Sequence, residues 1–398
     1  MVAAWKRVKA NKGGAGVDGR TVQDTGKWLE NAWPDIRTSL LDGSYRPTPV
    51  RRVGIPKSGG GTRELGIPTV VDRLIQQALL QVLQALIDPT FSTHSHGFRP
   101  GRSAHGAVLE AEQYVREGYR IVVDVDLEKF FDGLSQEWLI RFLEHRIGDE
   151  RVIRLVRKWL RAGVLEEGEW SVSEKGTPQG AVASPLLANV YLHYVFDLWA
   201  HQWRRREAIG NVVVVRYADD IVVGFEREAD AKRFWDAMRT RLGQFELELH
   251  GEKTRLLEFG RHAAAGRRRR GLGKPETFTF LGFTFICGKS RGGAFLLHRK
   301  TRRDRMTAKL RDIKEDLRRR MHTPITGCSV SGYRTTCCCG PQKLRLTRTL
   351  AKSSTSTRSR LGYCARIKAW AIPGCDSLFA ATSRTSQTTV CIGTQRCW

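Results

Sequence analysis

The sequence predicts an α+β fold built around an antiparallel sheet, and three observations carry that expectation. Strand-like and helix-like stretches are intermixed without a regular β-α-β alternation, which argues against a doubly wound parallel sheet. Two β-branched runs, Val212–Val215 and Ile221–Val223, flank Tyr217-Ala218-Asp219-Asp220 in a strand–turn–strand pattern. A third apolar run, Ile121-Val122-Val123-Asp124-Val125-Asp126, reads as a buried strand with a carboxylate at its far end.

The remaining elements follow in order. A short basic helix precedes the loop Gly13-Gly14-Ala15-Gly16-Val17-Asp18-Gly19, and Trp28 to Leu41 has helical periodicity. Val50 to Pro56 is strand-like. It enters the glycine turn Lys57-Ser58-Gly59-Gly60-Gly61-Thr62-Arg63, and a second extended piece ends at Pro68. Asp72 to Leu86 has apolar residues at helical spacing and stops at Asp88-Pro89. Gln136 to Leu165 reads as helical, Gly176 to Gly180 as a turn, and Pro185 to Trp199 as a buried helix. Ala229 to Leu242 is helical, Phe245 to Leu257 extended, and Phe278 to Ile286 a further strand-pair element. Met306, Leu310, Ile313 and Leu317 share one helix face within a basic helix from His298 to Arg320. Arg267–Arg270 reads as a flexible basic loop, and no internal repeat is visible.

Composition narrows the partners. With 398 residues the chain can bury a sizeable core, and 67 basic against 41 acidic residues give a formal charge of +26. So basic a surface attracts nucleic acid through counterion release, although ribosome-associated and merely soluble basic proteins share the trait. Met1 to Ala10 contain no apolar signal core, and no run approaches membrane-spanning length, so the expectation is a cytoplasmic protein without a membrane partner. Only Cys287 precedes Cys328, and the remaining cysteines show no paired C-x-x-C spacing, which gives a zinc site no support. From Pro324 onward there is one acidic residue, Asp376, against eleven Lys and Arg, and no sustained periodicity. That stretch reads either as a disordered basic tail or, the favoured reading, as the product of a frame change near Met321.

The chemistry rests on carboxylates. Nucleotidyl transfer stabilises an attacking and a leaving oxygen, which two magnesium ions about 3.5–4 Å apart can do if acidic oxygens hold them. Asp219 and Asp220 sit at a hairpin tip, and Asp126 ends a neighbouring apolar strand, so sheet pairing would bring three carboxylates to one rim. Asp-Asp is also ordinary turn chemistry, and strands commonly end in Asp. Asp124 competes with Asp126, because residues two apart on a strand share a face.

Tyr217-Ala218-Asp219-Asp220 resembles the polymerase signature of reverse transcriptases. Asp126-Leu127-Glu128-Lys129-Phe130-Phe131-Asp132 resembles the first-aspartate motif of the group II intron subfamily, and Gly176-Thr177-Pro178-Gln179-Gly180 through Ser184-Pro185-Leu186-Leu187-Ala188-Asn189 its next block. His250-Gly251-Glu252-Lys253-Thr254 and Phe280-Leu281-Gly282-Phe283 are similar to the later blocks. Gly16-Val17-Asp18-Gly19, Ile55-Pro56-Lys57, Leu65-Gly66-Ile67-Pro68 and Gly97-Phe98-Arg99-Pro100 are similar to the earlier ones. The ordered series, from the N-terminus to about residue 320, identifies the chain as resembling group II intron-encoded reverse transcriptase/maturases.

The resemblance implies a right-hand polymerase: an N-terminal segment and fingers over 1–115, an antiparallel-sheet palm over 116–297, a first thumb helix over 298–322, and a tail over 323–398. It implies two Mg²⁺ ions, with Mn²⁺ as substitute, held by Asp126, Leu127, Asp219 and Asp220, with Asp126 preferred over Asp124 by its six-residue spacing to Asp132. Lys253 is the implied general acid for pyrophosphate, or else an exposed lysine. Lys57, Arg63, Phe131 and Gln179 are implied around the nucleotide. Two solvated cations and a core aromatic are the plainer readings of Lys57, Arg63 and Phe131. Leu281, Gly282, Arg302 and Arg303 are implied at the primer–template, with a solvated charged helix as the alternative for the arginines. Partners implied are an RNA template (its own intron RNA), a DNA primer and deoxynucleoside triphosphates. The thumb reads as truncated and the N-terminal extension as shortened, which sets the polymerase core apart from splicing assistance. The competing readings are a non-catalytic splicing cofactor, a retron, diversity-generating or defence-type reverse transcriptase, and a decayed gene product.

Overall fold

The computed structural model describes residues 1–319, except 57–60, 167–168, 172–174 and 178–179. Helices α1 (Val2–Asn11) and α2 (Val22–Asp42) precede the hairpin of β1 (Val50–Pro56) and β2 (Thr62–Ile67). Next come α3 (Val70–Ile87), α4 (Ala104–Glu117), β3 (Ile121–Val125), α5 (Phe130–Gly133), α6 (Gln136–Glu144) and α7 (Glu150–Arg161). Short strands β4 (Val164–Glu166) and β5 (Glu169–Ser171) follow, then α8 (Ser184–Leu192) and α9 (Leu198–Arg206), joined by a π-helical turn over His193–Asp197. The chain continues through β6 (Val212–Tyr217), β7 (Asp220–Phe225), α10 (Glu228–Gly243), β8 (Arg255–Glu258) and α11 (Ala263–Arg269). Last are β9 (Phe278–Phe280), β10 (Phe283–Lys289), β11 (Phe295–Thr301) and α12 (Arg303–Arg319). Met1–Arg305 forms one compact unit, and the described chain from Met306 onward, the rest of α12, belongs to another.

Three sheets organise the first unit. The central one has the order β6-β7-β3-β8 with every pair antiparallel. Strand alternation sorts its side chains cleanly. Ile121, Val123, Val125, Ile221, Val223 and Phe225 face the largest core, shared with α6, α8 and α10. Val122, Val215, Val222 and Leu257 face a second core, made with Ala107, Val108 and Ala111 of α4 and Phe278, Phe280 and Phe285 of the β11-β10-β9 sheet. A further sheet, β2-β1-β4-β5, carries the β1–β2 hairpin.

Helix ends follow local chemistry. Thr21 caps α2 in a reciprocal box with Asp24, and Gly43, at φ +79°, ends it. The expected helix from Gln136 to Leu165 is instead two helices and a strand. Its break falls at Gly148-Asp149, where Asp149 caps α7 by accepting from the Arg151 N–H at 2.9 Å. Of the expected extended stretch from Phe245 to Leu257, only Arg255 onward is strand; the segment before it is turns and irregular chain with an isolated bridge at Leu249. The Arg267–Arg270 loop is largely the end of α11, with Arg267 tied to Glu276 at 3.1 Å and Arg270 paired with Glu258. The basic helix starts at Arg303, not His298, because His298 to Thr301 pair along β10.

One helix does reach membrane-crossing length, contrary to the expectation: Val70–Thr90 spans 21 residues at a mean hydropathy of 1.2. It is a core helix. Asp72, Arg73, Gln76 and Gln77 are all buried along it, and such polar groups demand partners. Arg73 donates to the Gly14 carbonyl at 2.6 Å, and Gln76 accepts from the Val182 N–H at 2.9 Å. Asp72 accepts from the Tyr45 hydroxyl, the Thr48 N–H, the Thr69 hydroxyl and the Trp159 indole at 2.8 to 3.3 Å. One carboxylate therefore fastens α3 to the α2–β1 connection and to α7. Asp72→Ala, which strands several buried donors, is expected to lower the unfolding free energy by roughly 3 kcal/mol in urea titration. Asp72→Asn, which keeps one acceptor oxygen, should cost less.

Candidate active site

Hairpin β6–β7 has a two-residue tip. Tyr217 pairs with Asp220, and Ala218, at φ +55°, and Asp219 make the turn. Positive φ at the first turn position suits the twist of a tight hairpin, though it strains a residue with a Cβ. Strand β3 pairs with β7 so that Val125 faces Ile221. Continuing that register by one residue sets Asp126 opposite Asp220, on the same face as Asp124. Asp219, at the tip, is the next carboxylate.

The carboxylates perturb one another. Burial first, then the Asp219, Asp126 and Asp124 charges, push Asp220 up to about 7, although its side chain still reaches solvent; Arg305 opposes the shift. Asp219 is raised chiefly by burial and further by Asp126, against its own backbone N–H, Arg63 and Arg216. Asp124, one pleat deeper, is raised to about 6 by burial and Asp126, with Arg255 opposing at 3.5 Å. Asp126 is the charge common to all three. Among the described residues no three His, Cys, Asp or Glu side chains close into a finished ligand cluster. The rim instead offers hard oxygen donors that are short of positive charge, which suits a divalent cation completed by water or phosphate oxygens.

The neighbouring segments fix these acids. The Thr254 hydroxyl donates to the Asp126 carbonyl at 3.0 Å, and lies 3.2 Å from the Asp126 N–H. The His250 N–H also donates to that carbonyl, at 2.9 Å. The turn so anchored carries Lys253, whose Nζ is 3.8 Å from Asp126 Oδ2. Arg63, on β2, is near enough to lower Asp219. Leu127 is buried and bridges to Leu249. Phe131 is half-buried against the main core, and its carbonyl accepts from the Thr177 N–H at 2.8 Å. Gly176 is required there, since a Cβ would come within 2.6 Å of that carbonyl.

Leu281 and Gly282, at φ +50° and +83°, form the tight turn between β9 and β10. Gly282 lies against the Arg305 guanidinium, where a Cβ would collide. Arg302 is locked on Asp304 by two hydrogen bonds of 2.7 and 2.6 Å, and Arg303 is exposed at the start of α12. Lys57 and Gln179 lie outside the described residues, as does the tail.

Sequence reading missed what holds the hairpin. Arg216, fully buried on β6, grips Asp197 with Nε and Nη2 at 2.8 and 2.6 Å. Its Nη1 donates to the Ala218 carbonyl at 3.1 Å and to Asn189 Oδ1 at 3.0 Å. Asn189 in turn donates to the Gly97 carbonyl at 2.7 Å. Gly97 rests directly on the Tyr217–Ala218 backbone, leaving no space for a Cβ. Asp197 belongs to the π-helical turn, whose extra residue re-aims side chains in a helix. The available signal was Arg216 itself, a charge in an otherwise apolar strand. A second buried group lies beside it. The His96 N–H donates to the Arg216 carbonyl, while Glu110 meets His94, His96 and Tyr114 at 2.6 to 2.8 Å. Burial opposes ionisation of Glu110, but these three partners hold its carboxyl well below the usual range.

Comparison with known proteins places this geometry. Residues 55–285 match the family model for reverse transcriptase (RNA-dependent DNA polymerase). The chain is 33% identical over 292 residues to protein YkfC of Escherichia coli, covering 65% of this chain and 72% of that one. It is 39% identical over 191 residues to group II intron-encoded protein LtrA of Lactococcus lactis subsp. cremoris, covering 48% of this chain and 32% of LtrA. An uncharacterized 91 kDa protein in the cob intron of Schizosaccharomyces pombe is 43% identical over 158 residues, 40% of this chain and 20% of that one. The matched part thus spans a third or less of these two intron proteins.

Two outcomes follow from the site. For Asp220 the folded value, about 7, exceeds the ordinary 3.8, so its contribution to stability is fully present below pH 4 and is lost as pH rises through 7. Calorimetry in EDTA should show the melting temperature falling over that window more steeply in wild type than in Asp220→Asn; equal slopes would reject the raised Asp220 pKa. Arg216→Met, which leaves Asp197 buried and unpaired, should cost about 3–5 kcal/mol by denaturant titration, and adding Asp197→Leu should recover much of that loss.

Proposed function

The chain belongs to the reverse transcriptase (RNA-dependent DNA polymerase) family, with group II intron-encoded proteins among its relatives, and on that footing we propose that its carboxylate rim builds DNA on an intron RNA template. The fold is the right-hand polymerase type, with the acids on the antiparallel central sheet. One observation carries the proposal: the strand register brings Asp126, Asp219 and Asp220 to one rim, where burial and the neighbouring carboxylates together raise Asp220.

Reverse transcriptases use divalent metal ions. Two Mg²⁺ ions, replaceable by Mn²⁺, would suit this rim, and Asp126, Asp219, Asp220 and the Leu127 backbone are the groups that would hold them. Bound there, they would supply charge for the attacking 3′-oxygen and the departing pyrophosphate. The side chains do the rest. Lys253, 3.8 Å from Asp126, gives a proton to the pyrophosphate in this reading. Arg63 neutralises triphosphate charge, and the sequence resemblance assigns Lys57 the same role. Phe131 meets the sugar, and the sequence resemblance assigns Gln179 to the nucleotide. The Leu281–Gly282 turn brings backbone close to the primer strand, and Gly282, at φ +83°, suits that approach. Arg302 and Arg303 serve phosphates of the template–primer. Its substrates are thus RNA, a DNA primer and deoxynucleoside triphosphates, and intron splicing assistance is the accompanying role.

Primer extension on an RNA template tests this reading. Wild type with Mg²⁺ should make DNA, EDTA should abolish the product, and Mn²⁺ should restore it. Asp219→Asn/Asp220→Asn should reduce product to background while leaving the protein folded. A folded wild type without product would instead favour the non-catalytic splicing cofactor. Product from the double variant would overturn the residue assignment.

A further inference from the structure

Residue 216 is held twice. Its side chain is gripped by Asn189 of α8 and Asp197 of the π-helical turn, on the face of the central sheet that packs the main core. Its backbone is held from elsewhere. Strand β6 is an edge of that sheet, so the outward N–H and C=O of Arg216 meet no strand of the sheet. The segment His94-Ser95-His96 fills the place with a single parallel bridge. The Arg216 N–H donates to the His94 carbonyl at 2.9 Å, and the His96 N–H donates to the Arg216 carbonyl at 2.8 Å. The next residue, Gly97, bears on the Tyr217–Ala218 backbone. Whatever seats this segment therefore seats the root of the hairpin that displays Asp219 and Asp220.

Glu110 of α4 seats it. His94 and His96 are two apart and point to the same side, and each takes one oxygen of that carboxylate. His94 Nδ1 lies 2.8 Å from Oε1, and His96 Nε2 lies 2.6 Å from Oε2. An ionised carboxylate only accepts, so the hydrogens sit on those two ring nitrogens. The Tyr114 hydroxyl, one turn along α4, donates to Oε1 at 2.7 Å. His94 Nε2 also faces Arg204 Nη1 at 3.4 Å, whereas His96 Nδ1 is buried with no partner among the described residues. The bond to Glu110 is thus what orients the His96 ring. Arg99 secures the loop differently. It donates to the Ser92 and Ser95 carbonyls at 2.6 and 2.9 Å and pairs with Asp88 at 2.8 Å. Arg99 gives the loop its shape, and Glu110 gives it an attachment to α4.

We propose that Glu110 is a positioning residue for nucleotidyl transfer, which fixes the active-site hairpin through His94 and His96. Helix α4 does not need this carboxylate to pack. Ala107, Val108 and Ala111 already bury its apolar stripe in the second core, and a partly buried charge is costly to desolvate. What the charge adds is direction, because two fixed acceptor oxygens hold two rings at set angles. Glu110 acts at a distance. The path runs through the His96 ring and backbone to Arg216, and from Arg216 to the tip. The effect on rate rests on the polymerase reading of the carboxylate rim, whereas the hold on the hairpin does not.

The test compares variants of the full chain by two readouts. One is amide hydrogen exchange over the β6–β7 hairpin, followed by mass spectrometry without metal or substrate. The other is primer extension on an RNA template with Mg²⁺. Glu110→Gln sets an amide NH₂ against a histidine N–H, and should speed exchange at the hairpin about tenfold. It should lower kcat by about 10–100-fold with KM for the deoxynucleotide unchanged, because small displacements of the acids are felt in the transition state. His96→Leu, which offers no donor, should do the same. His96→Gln, whose amide nitrogen can still donate to Glu110, should restore most of both. Val108→Ala leaves a cavity in the same helix without touching the carboxylate, and should keep hairpin exchange and kcat near wild type. Unchanged hairpin exchange in Glu110→Gln and His96→Leu overturns the proposal. Faster exchange with wild-type kcat overturns the role in the reaction. An equal fall of kcat in Val108→Ala overturns it too, by pointing to general destabilisation. If folded wild type makes no DNA, the polymerase reading fails and the effect on rate with it, while exchange still decides whether Glu110 holds the hairpin.

Discussion

The hairpin tip of the carboxylate rim depends on one buried ion pair. Arg216 is completely enclosed, yet all its interactions are accounted for: two bonds to Asp197, one to Asn189 and one to the carbonyl at the hairpin tip. Burying two charges is costly and adds little net stability unless geometry and hydrogen bonding are complete. Here the return is position. A guanidinium is a flat, rigid fork, so gripping a carboxylate on one side fixes where its other nitrogen points. That nitrogen holds the Ala218 carbonyl, and so the backbone that displays Asp219 and Asp220. Replacing the pair with packed hydrocarbon could keep the sheet but would release the tip.

The sheet supplies the second constraint. On the face opposite the main core, Val122, Val222 and Leu257 are covered by α4 and the phenylalanines of the β11-β10-β9 sheet. Farther along the same face the residues change from valine to aspartate, and Asp126 is 42% exposed. A single pleat period therefore yields both an apolar seal and an acidic opening. The seal restricts water on one side, which strengthens repulsion among the acids. The opening admits the cation that relieves it. Cationic side chains from other elements (Arg63 from β2, Lys253 from the turn before β8, Arg305 from the start of α12) surround the rim without filling it.

How much of this was readable in the sequence depended on range. The β6–β7 hairpin and β3 were legible because β-branched runs announce strands and Asp-Asp announces a tip, all within a few residues. The α6–α7 break was missed because helix-forming residues flank Gly148 on both sides, and the capping role of Asp149 is clear only once its side chain turns back. The stretch from His298 to Thr301 satisfies helical charge patterning as well as it does a strand, and only pairing with β10 decides. The π-helical turn at His193–Asp197 has no local signature at all. Asn189 and Gly97 stood in recognisable blocks, yet their hydrogen bond joins positions 92 residues apart, beyond any periodicity argument.

That separation also bears on how the molecule comes into being. The tip of the β6–β7 hairpin needs Gly97 and Asn189 behind it, and Asp126 needs Thr254, which follows it by 128 residues. A growing chain can form the hairpin as soon as β7 is made. It cannot seat the first aspartate until the turn at His250–Thr254 has been synthesised. Loop closures of that length are slow steps, so the carboxylate rim is completed only after that turn has been made. Until then the nascent protein can carry a basic, RNA-attracting surface with no competent site, an order of events that separates capture of RNA from the chemistry done on it.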